Sequence, residues 1–193
     1  MIRLSTLVFL SVIPLYLSFT KEMDKVEVKY SETRDEISKT YEQTRDSIKL
    51  EYATQCQLYL DRPVFTGTPL TGEMMAESAL NAYDSTGVLV PYELALSQAQ
   101  WESGMGRRGR SPATNPYNVG EWSEKTVTRF KTTRQGVQSY YYLIARDYLT
   151  CKELEDLLEN FVNCNGHRYA AATDYEHKIK SQVETIKKWL KNI

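Results

Sequence analysis

Chemistry is most concentrated in residues 95–120, ALSQAQWESGMGRRGRSPATNPYNVG. Glu102 closes a mostly apolar helical segment, directly before the glycine-broken run Ser103-Gly104-Met105-Gly106. A loop then closes on Asn115-Pro116-Tyr117-Asn118-Val119-Gly120. A carboxyl group at the lip of a packed helix loses part of its hydration, which favours the neutral form and raises its pKa. That is the condition for a general acid that protonates the leaving oxygen of a glycosidic bond near neutral pH. A helix-terminal glutamate followed by an ordinary glycine cap accounts for the same residues without any chemistry. The surrounding pattern has to decide between the two.

Other chemistries have little support. Histidines at 167 and 177 and cysteines at 56, 151 and 164 are too few and too scattered for a zinc site, so no metal and no cofactor are expected. There is no glycine-rich phosphate loop. The Ser103-Gly104 pair lacks the preceding Gly-x of a nucleophile elbow. A formal net charge of -1 gives no argument for nucleic acid as a partner.

The elements that must position Glu102 begin with an unusual N-terminus. Met1-Ile2-Arg3 precedes LSTLVFLSVIPLYLSFT, a run without a charge from Leu4 to Thr20. Residues 1–20 read as a signal peptide or a membrane anchor, with a buried helix as the bland alternative. At about 17 residues the run lies at the lower limit for a spanning helix. Its best cleavage site, Ser18-Phe19-Thr20, is poor, so removal and retention are both open.

Residues 30–40, YSETRDEISKT, and 41–51, YEQTRDSIKLE, form a repeat of period eleven. Val26, Tyr30, Ile37, Tyr41, Ile48, Tyr52 and Tyr59 fall on one helical stripe. Eleven residues over three turns is about 3.67 per turn, which favours straight or slightly right-handed packing. No Gly or Pro interrupts residues 21–61, so one helix of about 60 Å can run that length. So narrow a stripe needs a partner. Self-association as a stalk is one reading, and folding back onto a domain is the other. Residues 62–72, with two prolines and two glycines, read as a linker.

Residues 73–193 carry closely spaced helical signals. Helices are expected over Glu73–Tyr83, Tyr92–Ser103, Gln135–Leu149, Lys152–Phe161 and Thr173–Leu190. The alternation Thr126-Val127-Thr128-Arg129-Phe130-Lys131 suggests a short strand. The expected class is mainly α, formally α+β, with a small β excursion and a long N-terminal helix. Cys151 and Cys164 bracket KELEDLLENFVN, and the ends of one straight helix lie too far apart to bridge. A pairing of Cys56 with either is geometrically open but has nothing to support it, and the expectation is that at least two of the three are free thiols.

Residues from about 90 to 190 resemble the glucosaminidase branch of the lysozyme-like peptidoglycan hydrolases. The resemblance rests on A-x-x-Q-A-x-x-E-S-G-x-G at 95–106 and the turn Asn115-Pro116-Tyr117-Asn118-Val119-Gly120-Glu121-Trp122. It continues in FKTTRQGVQSY at 130–140 and in Arg168-Tyr169-Ala170 followed by Asp174-Tyr175 and Ile179. The resemblance implies a lysozyme-like helical domain that cleaves the β-1,4 bond after N-acetylglucosamine in bacterial peptidoglycan. It matches Glu102 to the general acid and Tyr169 to an active-site tyrosine. Asn118 and Tyr140 match positions that line or brace the cleft.

Tyr117 and Trp122 are candidates for stacking on sugar faces, with a buried structural role for Trp122 as the alternative. Trp101 is expected in the core. A second carboxylate is needed about 5–9.5 Å from the acid. The chain offers Glu124, ahead of Glu121, and nothing acidic from Lys125 to Arg146. Substrate assistance by the acetamido group is the other route. Arg107, Arg108 and Arg110 either meet peptidoglycan carboxylates or form a solvated loop. The expected location is export, either anchored at the membrane facing the periplasm or cell wall, or secreted, and virion-associated in a phage. A glycan-binding protein without catalysis, and a lytic transglycosylase or muramidase, remain the alternatives.

Overall fold

A computed structural model describes residues 4–108, 112–120 and 128–193, with α1 side chains from Met23 onward except those of Asp24 and Val26. The side chains of the expected leader or anchor over 1–20 lie outside the described residues, as do Arg110, Glu121, Trp122 and Glu124. Among the described residues no helix is long and apolar enough to cross a membrane.

The chain is helical, in the order α1 (Leu4–Leu60), α2 (Gly72–Thr86), α3 (Tyr92–Ser103), α4 (Thr133–Leu143), α5 (Leu154–Asn160) and α6 (Tyr175–Lys191). Helix α1 belongs to two compact units, with the division between Asp46 and Ser47. In the first unit Thr33, Thr40 and Thr44 return their hydroxyls to carbonyls four residues earlier. Its stripe residues Tyr30, Ile37 and Tyr41 are 72%, 65% and 53% exposed.

The second unit holds the core. Tyr52, Cys56, Tyr59 and Leu60, on the last turns of α1, are buried in it together with residues of every later helix. The globular unit therefore starts earlier in the chain than residue 73. Residues 62–72 are packed as well, since Phe65 and Leu70 are buried and Thr71 caps α2 by accepting from the Met74 amide at 3.1 Å. Proline and glycine in this stretch make a corner between α1 and α2, and its apolar residues anchor that corner.

Helix α3 is the centre of the unit. Leu94 through Ala99 are all 0% exposed, so this stretch has no solvent face. A helix enclosed on all sides needs partners all round. One of them is α6, whose buried residues Tyr175, Ile179, Val183 and Ile186 recur at helical spacing. Helix α2 packs on α4, and α4 continues into a π-helical turn at Ile144–Leu149.

Two expectations are corrected. Residues 128–131 form no strand, and among the described residues β pairing is limited to an isolated bridge between Val162 and Arg168. Alternation favours extended backbone, but a ladder needs a partner, and Thr128 instead offers its carbonyl to the Asn115 side chain at 2.9 Å. The rest of the expected β segment, residues 121–127, lies outside the described residues.

Cys151 and Cys164 do form a disulfide, with Cα atoms 5.8 Å apart. Helix α5 spans only Leu154–Asn160 and ends at Phe161, whose φ of 46° turns the chain back. Both cysteines thus lie outside the helix on segments that meet. Cys56 is a buried free thiol.

This division of α1 makes a prediction about truncation. A chain starting at Ser47 should keep a cooperative thermal transition close to that of the full chain. One starting at Arg62 loses four core residues. Large-to-small changes at such sites cost about 2–5 kcal/mol each, against a total of about 5–15. Circular dichroism should show no cooperative melt for the shorter chain.

Candidate active site

Glu102 sits in the last turn of α3, where the helix leaves the core. Gly104 ends the helix with φ 56°, and its amide returns to the carbonyls of Ala99 and Gln100. Ser103 then ties this end to the following loop, donating to the Pro116 carbonyl at 2.6 Å and accepting from the Gly106 amide at 2.7 Å. Buried Asn115 closes that loop: its Oδ1 accepts from the Val119 amide and its Nδ2 donates to the carbonyls of Val119 and Thr128. Gly136 lets α4 approach from the other side, because a Cβ there would lie 2.0 Å from the Thr114 carbonyl oxygen.

The braced loop presents Asn118 in the left-handed region, φ 54°, which asparagine tolerates better than most residues. Its Nδ2 donates to Glu102 Oε2 at 2.9 Å. From α6, Tyr175 Oη donates to Glu102 Oε1 at 2.8 Å. Gln98, one turn before Glu102 on α3, donates through Nε2 to Tyr175 Oη at 2.8 Å. The same amide accepts at Oε1 from Tyr140 Oη at 2.6 Å. Two segments distant in sequence, the 115–118 loop and α6, thus meet at one carboxyl group, and a third, α4, reaches it through Gln98 and Tyr175.

Burial raises the pKa of Glu102 from its usual value, and the donors Asn118 and Tyr175 oppose the rise. The negative end of the α3 dipole acts in the same direction as burial. The hydroxyls of Tyr140, Tyr169 and Tyr175 are pushed well above the usual tyrosine range, first by burial. They act as neutral hydrogen-bonding groups at any ordinary pH.

Of the residues singled out from the sequence, Glu102 and Asn118 are in direct contact. Tyr169 joins the wall of the site: its ring stacks on Tyr175 with centroids 5.6 Å apart, and its hydroxyl donates to the Tyr117 carbonyl at 2.8 Å. Tyr140 reaches Glu102 only through Gln98 and Tyr175. Tyr117 is 0% exposed and stacked on Tyr140 at 3.7 Å between centroids, so neither of its faces is open to a sugar.

Trp101 departs from the expected core position. It is 49% exposed, with Lys178 Nζ 4.6 Å from its ring centroid. The end of α3 emerges from the core, and the step from 101 to 102 turns the two side chains about 100° apart. Arg107 is engaged within the fold, donating to the carbonyls of Val64 and Thr66.

Sequence reasoning gave no role to Gln98, Ser103 or Tyr175. Each stands inside a stretch quoted for its pattern, and a polar residue in an otherwise apolar helix was the available signal for Gln98. Among the described residues no group of three or more His, Cys, Asp and Glu side chains could hold a metal ion. No protein-family model matches the chain, and neither does any curated protein.

The raised pKa sets a testable sign. A carboxyl group with a raised folded-state pKa contributes stability that is complete below its unfolded pKa and lost as pH rises through the folded value. Near neutral pH, Glu102→Gln should therefore melt at a higher temperature than the wild type. The gain should vanish when melts are repeated below the ordinary carboxylate range.

Proposed function

We propose that this chain is an exported peptidoglycan hydrolase, an endo-β-N-acetylglucosaminidase with Glu102 as its general acid. One observation carries the proposal most: a half-buried carboxyl group at the end of the central helix, its pKa raised by burial, beside Asn118 and the Tyr169–Tyr175 pair. The order of motifs around it supports the same reading. The Cys151–Cys164 disulfide fits an oxidising compartment, as export requires.

In this reading Glu102 arrives protonated and delivers its proton to the glycosidic oxygen as the bond breaks. Asn118 and Tyr175 then stabilise the carboxylate that is left. Tyr169 borders the site through its contact with Tyr175. The second role, at the anomeric carbon, falls to Glu124 or to the substrate's own acetamido group. Residues 1–20 tether or export the enzyme, and the exposed part of the α1 stripe, Tyr30, Ile37 and Tyr41, associates with a second copy.

Purified peptidoglycan is the direct test. The wild type should release fragments with new N-acetylglucosamine reducing ends, read by mass spectrometry. Glu102→Gln should remain folded and lose about 10²–10⁴-fold in rate. New muramic ends would indicate a muramidase, and 1,6-anhydro ends a lytic transglycosylase. Retention on insoluble peptidoglycan with no released ends would instead support a binding protein.

The self-association has its own readout. Sedimentation of the chain without residues 1–20 should show an oligomer that Ile37→Asp reduces to monomer. A wild type that stays monomeric at tens of micromolar would exclude the oligomer.

A further inference from the structure

The order of donors and acceptors behind Glu102 is set by groups the acid never touches. Gln98 is 0% exposed, and its amide lies between Tyr140 Oη and Tyr175 Oη at 2.6 and 2.8 Å. A hydroxyl has one proton to give. Because Gln98 Nε2 donates to Tyr175, the tyrosine's own proton is free for Glu102 Oε1.

Turning the amide round would reverse the chain. Tyr175 would then donate to Gln98 Oε1, and Gln98 Nε2 would face Tyr140 Oη. The proton of Tyr140, 0% exposed, would lose the acceptor it has in Gln98 Oε1. A buried donor left unmade is costly, so the far end of the chain dictates the direction at the near end.

We propose that Gln98 is a positioning residue for Glu102. It locks the direction of the Tyr140–Gln98–Tyr175 chain so that both carboxyl oxygens accept from the protein. The acid's own proton is then left to the lone pairs that Tyr175 and Asn118 do not occupy. Without the Gln98 donor, Tyr175 Oη can accept from Glu102. The proton then lodges on Oε1 toward α6, where it serves no leaving group. The inference rests on the glycosidase reading for its catalytic consequence, but the hydrogen-bond order itself can be measured without turnover.

Among the described residues, the ionisable side chains that sense Glu102 are Tyr140 from α4, Tyr169 from the segment before α6, and Tyr175 from α6 itself. All three are neutral near physiological pH, and Glu124, the candidate second carboxylate, is common to every variant, so a change between variants reports on the hydrogen bonds. The experiment is a double-mutant cycle on the full oxidised chain with Gln98→Met, Tyr175→Phe and both together. The titration of Glu102 is followed by carbon NMR of its carboxyl group, identified by its loss in Glu102→Gln.

Each single variant should move the midpoint upward, because each removes or weakens a donor to the carboxylate. The pair should move it no further than Tyr175→Phe alone. Additive shifts, or no shift in folded Gln98→Met, would overturn the proposal. Gln98→Leu serves as the second variant should Gln98→Met fail to fold.

On soluble glycan strands, Gln98→Met should lower kcat by roughly 10–100-fold with KM nearly unchanged. A wild type that cleaves no glycan would remove the glycosidase reading, and the titration cycle would still decide the role of Gln98. Cleavage by the wild type together with an additive cycle would remove Gln98 alone.

Discussion

The second unit depends on the enclosure of α3. Six consecutive residues, Leu94 to Ala99, have no exposed surface, so other elements must pack around this helix in fixed relation to it. Glu102 rides on the end of that helix as it leaves the core. Its position is therefore as well determined as the core itself. This is an effective way to hold a side chain in place, because precision comes from packing already needed for stability.

The same enclosure creates opposing forces on the carboxyl group. Loss of water penalises the charged form, and the donors Asn118 and Tyr175 favour it. Burial wins, since the net shift is upward. The donors limit the shift and orient the group. A carboxyl group buried without such donors would be harder to ionise. The left-handed backbone of Asn118, fixed by Asn115 and Ser103, is what brings one of these donors within 2.9 Å.

The disulfide acts on the same wall from a distance. It joins the segments flanking α5, and the returning chain carries Tyr169 to the Tyr117 carbonyl. Phe161 packs its ring against both Tyr169 and Tyr175. The disulfide thus lies nearer the Tyr169 side of the site than α3.

Much of the local structure was legible in the sequence. Helix α3 ends at Ser103 with Gly104 as its cap, as its pattern indicates, and α2, α4 and α6 fall close to their expected spans. Periodicity and glycine placement report on such features because their causes lie within a few residues. The fate of the α1 stripe was not legible: Tyr30, Ile37 and Tyr41 are exposed, whereas Tyr52 and Tyr59 belong to the core. One unbroken spacing serves both, and only the presence of a packed neighbour distinguishes them. The disulfide was misjudged for a similar reason, because a helix treated as continuous in fact ends at Asn160 and turns at Phe161.

By itself the sequence determined most of the helices, the end of α3 and Glu102 as the residue to watch. Tertiary structure alone decided its partners. Tyr175 lies 73 positions away, and it meets Glu102 because α6 packs on α3. It also decided that Tyr117 is core and Trp101 is half-exposed, although both are aromatic residues near the same motif. Side-chain type and spacing carry the chemistry a residue could do. Which side of a packed helix it faces, and what meets it there, depends on distant segments that no local pattern contains.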